Sequence, residues 1–188
     1  MKVLDLGVLE TSMRKNSLGI QGAVCVAALL IRNKTLENLA LNDNDFGPDG
    51  GECIGVALSQ NHTLRVLRIA ENNLGSEGAI PIINSGGDLK ILNLAKNHIK
   101  ADCGKPLKKL LRRTKRLTKL QLEYNELMVQ GARYIAGGLL KNTSLQSLNL
   151  KGNVIGDQGI TEIAGALRDV PSLTELDVSL NEIGPTGF

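Results

Sequence analysis

Apolar residues recur along this chain in one template, Leu-x-x-Leu-x-Leu-x-x-Asn-x-Leu. It reads Leu36, Leu39, Leu41, Asn44, Phe46 and then Leu64, Leu67, Ile69, Asn72, Leu74. It continues as Leu89, Leu92, Leu94, Asn97, Ile99 and as Leu117, Leu120, Leu122, Asn125, Leu127. Leu145, Leu148, Leu150, Asn153, Ile155 follow, then Leu173, Leu176, Val178, Asn181, Ile183. The first copy is Met1, Leu4, Leu6 and, after an insertion, Asn16 and Leu18. The copies start at 1, 36, 64, 89, 117, 145 and 173, so they account for all 188 residues as one domain whose last copy is truncated. Repetition at this period marks a chain that stacks similar units into a solenoid.

Each part of the template predicts an element. Leu-x-Leu alternation places two side chains on one face of a short strand. One strand per copy, each followed by a return segment, gives a parallel sheet. The asparagine stands where the chain leaves the strand, and its amide can both donate to and accept from backbone groups left unpaired there. Stacked copies then form a ladder of buried amides, which makes the seven asparagines structural. A Gly-x-x-Gly element follows at Gly19/Gly22, Gly47/Gly50, Gly75/Gly78, Gly156/Gly159 and Gly184/Gly187. It suits a tight turn with close backbone approach. Without a following Gly-Lys-Ser/Thr it is no phosphate loop.

Apolar residues ten and fourteen positions past each asparagine predict a helix with one buried face. They are Val26/Leu30, Ile54/Leu58, Leu107/Leu111, Ile135/Leu139 and Ile163/Leu167. Small residues between them (Ala27, Gly55, Ala136, Ala164) are expected to let the helix lie close to the sheet. The third copy is 25 residues long and carries Pro81 and Gly86-Gly87, so a short or irregular helix is expected there. Helices pack about 8–10 Å apart and strands about 4.8 Å apart, so the stack must curve with the sheet inside. The predicted fold is α/β: a right-handed solenoid, or horseshoe arc, of one strand and one helix per repeat of about 28 residues.

The 28-residue copies with Asn-x-Ile-Gly-x-x-Gly and a full helix, clearest from Leu145 to Leu173, resemble ribonuclease-inhibitor-like leucine-rich repeats. The resemblance implies a binding module, as in most of that class. The uniform copies and helix ends such as Asn33-Lys34-Thr35-Leu36 look most like the arms of NOD-like receptors. The stretch Asn42 to Gly50 is similar to Ran GTPase-activating proteins, in which an arginine on an early loop supports GTP hydrolysis. The insertion between Leu6 and Asn16 holds Arg14, the residue that such an activity would use.

Composition narrows the function. Leucine fills 32 positions and asparagine 16, aromatics are 2% and Trp is absent. Pockets that bind small molecules usually carry large rings, so pocket catalysis is disfavoured. Apolar content of 42% argues against disorder. No apolar run is long enough to span a membrane, and no secretory signal opens the chain. Cys25, Cys53 and Cys103 form neither a disulfide framework nor a metal set, and suit a cytoplasmic protein. Cys25 and Cys53, 28 residues apart, are expected at one small core position. His62 and His98 are isolated, and no catalytic residue, metal or cofactor is assigned. The sequons at Asn33, Asn61 and Asn142 occupy one position at the helix end, where Asn suits a left-handed cap.

The net charge is +3, but eight basic residues and no acid fall in one stretch. They are Lys105, Lys108, Lys109, Arg112, Arg113, Lys115, Arg116 and Lys119, and the rest of the chain therefore carries −5. This strip is either a solvated outer face or a contact for an acidic surface. No aromatics interleave with it, so specific nucleic-acid binding is not expected.

The exposed positions of the inner sheet are the default surface for another protein. They comprise Asn38, Asn42, Asp43, Arg68, Glu71, Asn93, Lys96, Gln121, Glu123, Tyr124, Asn149, Lys151, Glu175 and Asp177, with Val66, Ala70 and Ala95 among them. Tyr124 is the one aromatic anchor. Neither end carries the polar cap that solenoids need, so a segment of a longer protein is expected.

Overall fold

A computed structural model describes residues 3–5, 16–168 and 170–185. Strands and helices alternate: β1 (Val3–Asp5), α1 (Gly19–Arg32), β2 (Asn38–Ala40), α2 (Gly47–Ser59), β3 (Val66–Arg68), α3 (Gly75–Ser85) and β4 (Ile91–Asn93). Then come α4 (Gly104–Arg113), β5 (Lys119–Gln121), α5 (Met128–Leu139), β6 (Ser147–Asn149), α6 (Gly156–Leu167) and β7 (Glu175–Asp177). The seven strands pair in parallel in sequence order, with Leu4, Leu39, Leu67, Leu92, Leu120, Leu148 and Leu176 in one register row. The fold is the expected α/β solenoid.

One continuous core lies between sheet and helices. Leu39, Leu67, Leu92, Leu120 and Leu148 meet Leu30, Ile54, Leu107, Ile135 and Ile163 there, all 0–1% exposed. Residues ten and fourteen past each asparagine are buried in α1, α2, α4 and α5, and Leu167 of α6 is half-buried.

The asparagine ladder is present, and its bonds run between repeats. Asn72 Nδ2 donates to Leu41 O (2.8 Å) in the preceding repeat and to Ala70 O (2.8 Å), while its Oδ1 accepts from Asn44 N (3.1 Å). Asn97 Nδ2 reaches Ile69 O (2.9 Å), Asn125 reaches Leu94 O (3.1 Å), Asn153 reaches Leu122 O (2.9 Å) and Asn181 reaches Leu150 O (2.8 Å). Asn16 departs from the expectation of seven buried amides. It is exposed, since the ladder amides reach back to the preceding repeat and, among the described residues, none precedes its own.

A second ladder runs along the helix exits. Asn61 Nδ2 donates to Leu30 O (2.7 Å) and its Oδ1 accepts from Thr63 N and Leu64 N (3.0 and 2.9 Å). Asn142 repeats this with Leu111 O, Ser144 N and Leu145 N, and Thr114 does so with its hydroxyl. This corrects the left-handed cap, since Asn33 has φ −80° and ψ 127°, extended backbone. The asparagine side chain, not a left-handed backbone, satisfies the exit. Asn61 and Asn142 are buried as sequons.

Two further expectations are corrected. The small residues serve the neighbouring helix rather than the sheet, because position eleven faces sideways: a Cβ on Gly55 would lie 2.4 Å from Pro81 Cβ of α3. Ala27 is half-buried and Ala164 exposed. Cys25 and Cys53 stand one residue before the buried position ten, and a step of one residue turns them outward, so Cys25 is exposed and Cys53 intermediate. Cys103 is buried instead. It occupies the slot held by Gly50, Gly78, Gly131 and Gly159 elsewhere, and burial pushes its thiol up to about 12.

The third copy is irregular as expected. α3 spans 11 residues around Pro81 and runs into a 3-10 turn at Gly86–Asp88. The disturbance extends to the next copy, where a 3-10 turn at Ala101–Cys103 precedes α4, at 10 residues the shortest described helix. α3 and α4 therefore pack against each other less than their neighbours do. Ser76 of α3 donates to Asp102 and accepts from Lys100 N, tying the two copies together.

Asn72→Ala removes a buried amide that holds backbone groups of two repeats. It is expected to cost about 3 kcal/mol and to lower Tm by about 6–12 °C. Asn84→Ala, at an exposed site on α3, should stay within about 0.5 kcal/mol. Thermal melts followed by circular dichroism check both.

Candidate protein-binding face

The strands are three residues long, so each offers two side chains to the open side of the sheet and one to the core. The loop after each strand adds two more positions. The result is four rows that cross the repeats.

Burial sorts the residues in these rows. Glu71, Lys96, Tyr124 and Glu175 are exposed. Asn38, Asn42, Asp43, Arg68, Asn93, Gln121, Glu123, Asn149, Lys151 and Asp177 are half-buried. Val66, Ala70 and Ala95 are buried, against expectation. Four polar groups already hold loop backbone, Asn42 that of the next copy and the other three that of their own. Asn42 Oδ1 accepts from Ala70 N (2.9 Å), Asn93 from Ala95 N (2.9 Å) and Asn149 from Lys151 N (3.0 Å). Asp177 accepts from Ser179 N and Oγ (2.9 and 2.7 Å), and those bonds hold its carboxyl below the usual range.

A second group of side chains gathers around β5. Tyr124 takes φ +55° in the loop, which turns its ring outward, and it is 44% exposed. Lys96 Nζ lies 6.0 Å and Lys151 Nζ 5.7 Å from the ring centroid, within cation–π range. Lys96 also pairs with Glu71 (3.1 Å). The row position next to Tyr124 is Gly152, where a Cβ would stand 2.8 Å from Tyr124 Cδ1. Next to Tyr124 in the chain, Glu123 has a buried carboxylate oxygen, Oε2, with no hydrogen-bond partner. Burial pushes the Glu123 carboxyl up, its own backbone N–H opposes this, Asp177 adds to the rise, and Lys119 and Lys96 counter it.

Sequence reasoning placed Tyr124, Glu123, Lys96 and Lys151 on this face, and the structure brings the four together. It missed Gly152, whose signal was a glycine in a row otherwise filled by side chains. It also missed Leu180, 67% exposed in the same row, a leucine outside the repeat's apolar positions. The basic strip does not stay together: Lys119 belongs to β5 and the rest to the outer side. Arg14 lies outside the described residues. Among those residues, no group of three or more His, Cys, Asp or Glu is placed to hold a metal ion, and no helix is long and apolar enough to cross a membrane.

A family model described as Leucine Rich repeat matches residues 32–55, 60–82, 141–164 and 171–187. A search of curated proteins found no match. Among solved structures, "Leiomodin-1 Actin-Binding Site 2 (ABS2)" is similar, with a TM-score of 0.53 and 18% identity over 85% of this chain and 78% of that one. At that identity the likeness concerns the fold.

A raised carboxyl pKa means that the charged form is disfavoured in the folded state. The stability Glu123 contributes is therefore full below the ordinary Glu range and is lost as pH rises through its folded pKa. Glu123→Gln should raise Tm at pH 7 relative to the parent chain, and the difference should vanish below about pH 4. A pH series of thermal melts checks this. A lower Tm for the variant at pH 7 would mean that the lysines already pair the carboxylate.

Proposed function

Because the chain is a leucine-rich-repeat protein, we propose that it is a non-enzymatic scaffold that binds another protein across the open face of its sheet, centred on Tyr124. The observation that carries this reading is the cluster at β5. An exposed aromatic ring has two ammonium groups within cation–π range, and the residue before it holds a buried carboxylate oxygen with no hydrogen-bond partner. A buried acceptor left open is costly unless a donor completes it, and a partner's backbone N–H, hydroxyl or cation does so. Tyrosine supplies large contact area at low entropic cost, which is why it dominates binding hot spots. Mid-sheet placement lets a partner reach the rows on either side, from Arg68 to Asp177.

The charges on this face are mixed in sign, with Arg68, Lys96, Lys119 and Lys151 among Asp43, Glu71, Glu123, Glu175 and Asp177. Such a pattern fixes register and rejects mismatched partners more than it attracts any one charge. A cytoplasmic setting is part of the reading and is supported by the three free cysteines. Actin is the first partner to test, since the similar solved chain is titled an actin-binding site.

The test places a photo-crosslinking residue at Gln121 on the sheet face or at Thr161 on the helix face, in the presence of actin or a cytosolic extract. A stoichiometric crosslink from position 121 alone supports the reading, and one from position 161 alone overturns it. For the partner so identified, Tyr124→Ala should weaken binding at least tenfold, about 1.4 kcal/mol. Isothermal titration measures that change.

A further inference from the structure

The eight cations between Lys105 and Lys119 have different surroundings. Lys119 faces the sheet side and is half-buried. Lys108 lies across Gly137 of α5, where a Cβ would stand 3.2 Å from its Nζ. Arg113 donates to the carbonyl oxygens of Asn84 and Ile83, closing the end of α3. These three have structural places. Lys105, Lys109, Arg112, Lys115 and Arg116 are exposed and have no carboxylate partner among the described residues.

Lys105, Lys109 and Arg112 are four and three residues apart, so they form one stripe about 10 Å long on the outer side of α4. The matching positions are Arg133 and Gly137 of α5 and Leu140 at its C-terminal cap. Arg133 is paired with Glu162 (3.1 Å), Gly137 has no side chain, and Leu140 is 49% exposed. Beyond them a shallow trough continues to α6, lined by Ala136, Gly137, Leu140, Gly165 and Ala166 and by the polar Gln158, Thr161 and Glu162, the last already paired with Arg133. A ridge of free positive charge thus borders a low apolar strip that runs parallel to it.

We propose that this outer face docks an acidic amphipathic helix of a partner protein. Its apolar stripe sits over Gly137 and Leu140, and its carboxylates face Lys105, Lys109 and Arg112. Packed helices stand about 8–10 Å apart, so a helix seated on α5 brings its flank over α4. Carboxylates spaced four and three apart on such a helix match the stripe charge for charge. Binding also relieves the mutual repulsion of five cations that lack counter-charges. The geometry favours this occupant over the other anionic surfaces. A flat bilayer meets an outward-curving face along a line only. Nucleic acid finds one ring here, Tyr134, half-buried and with Lys105 Nζ 6.0 Å from its centroid. This surface lies on the opposite side of the solenoid from Tyr124, so it stands or falls apart from the proposed scaffold site.

The test uses the full chain and a fluorescein-labelled synthetic amphipathic helix about 20 residues long, with Leu and Glu on opposite faces, read by anisotropy at about 50 mM salt. The same peptide with Gln for Glu, a poly-Glu coil of equal charge, phosphatidylserine vesicles and a short DNA duplex run alongside. The expected result is binding of the Glu peptide alone. The triple variant Lys105→Glu, Lys109→Glu, Arg112→Glu should lose at least tenfold in affinity, Leu140→Glu several-fold, and Lys119→Glu nothing. A circular-dichroism melt confirms folding, and the triple Gln variant replaces the triple Glu variant if the latter unfolds. Four results each overturn the proposal: no binding, an unchanged triple variant, equal binding of the coil, or tighter binding of vesicles or DNA.

Discussion

Each time the chain leaves the sheet it strands backbone N–H and C=O groups that no strand neighbour can reach. A buried amide side chain answers that need in every repeat from Asn44 to Asn181. From Asn72 to Asn181 its hydrogens go to carbonyls on both sides of the repeat boundary, and its oxygen takes an N–H from the repeat before. Only asparagine has that reach with both polarities. Everything else depends on this bond: it sets the offset between repeats, and the offset places each leucine against the one before. The helix exits use the same device at Asn33, Asn61 and Asn142, with a hydroxyl substitute at Thr114. The solenoid is thus pinned at both turns of each repeat.

With the core and both turns occupied, the repeat leaves two kinds of free position. On the sheet side they lie in rows, so neighbouring copies present side chains close enough to act together. Tyr124, Lys96, Lys151 and Glu123 come from three successive copies, and each needs the others. On the helix side the free positions depend on how far each helix projects and what lies across the gap. The shortened third copy matters here. It loosens the packing between α3 and α4 and draws Arg113 across to close α3, while Lys108 leans the other way over Gly137. The cations that remain point outward.

The repeat boundaries, the strand and helix order, the core positions and the two turn signals were legible in the sequence. Each is a local requirement repeated many times, and repetition makes a weak signal strong. Leu67 or Asn97 would mean little alone; in a row of equivalents their roles follow from periodicity and hydrogen-bond capacity. The rows on the open side of the sheet, and the place of Tyr124 in them, came from the same periodicity. The tertiary structure decided what depends on a neighbour one copy away. It set Cys25 outward and Cys103 inward, buried Ala70 and Ala95, and turned Gly55 to the next helix rather than to the sheet. It left Glu123 Oε2 without a donor and divided one basic run into structural and free cations. Those outcomes rest on distances between residues about 25 to 28 positions apart, and a one-dimensional pattern gives their spacing but not their contacts.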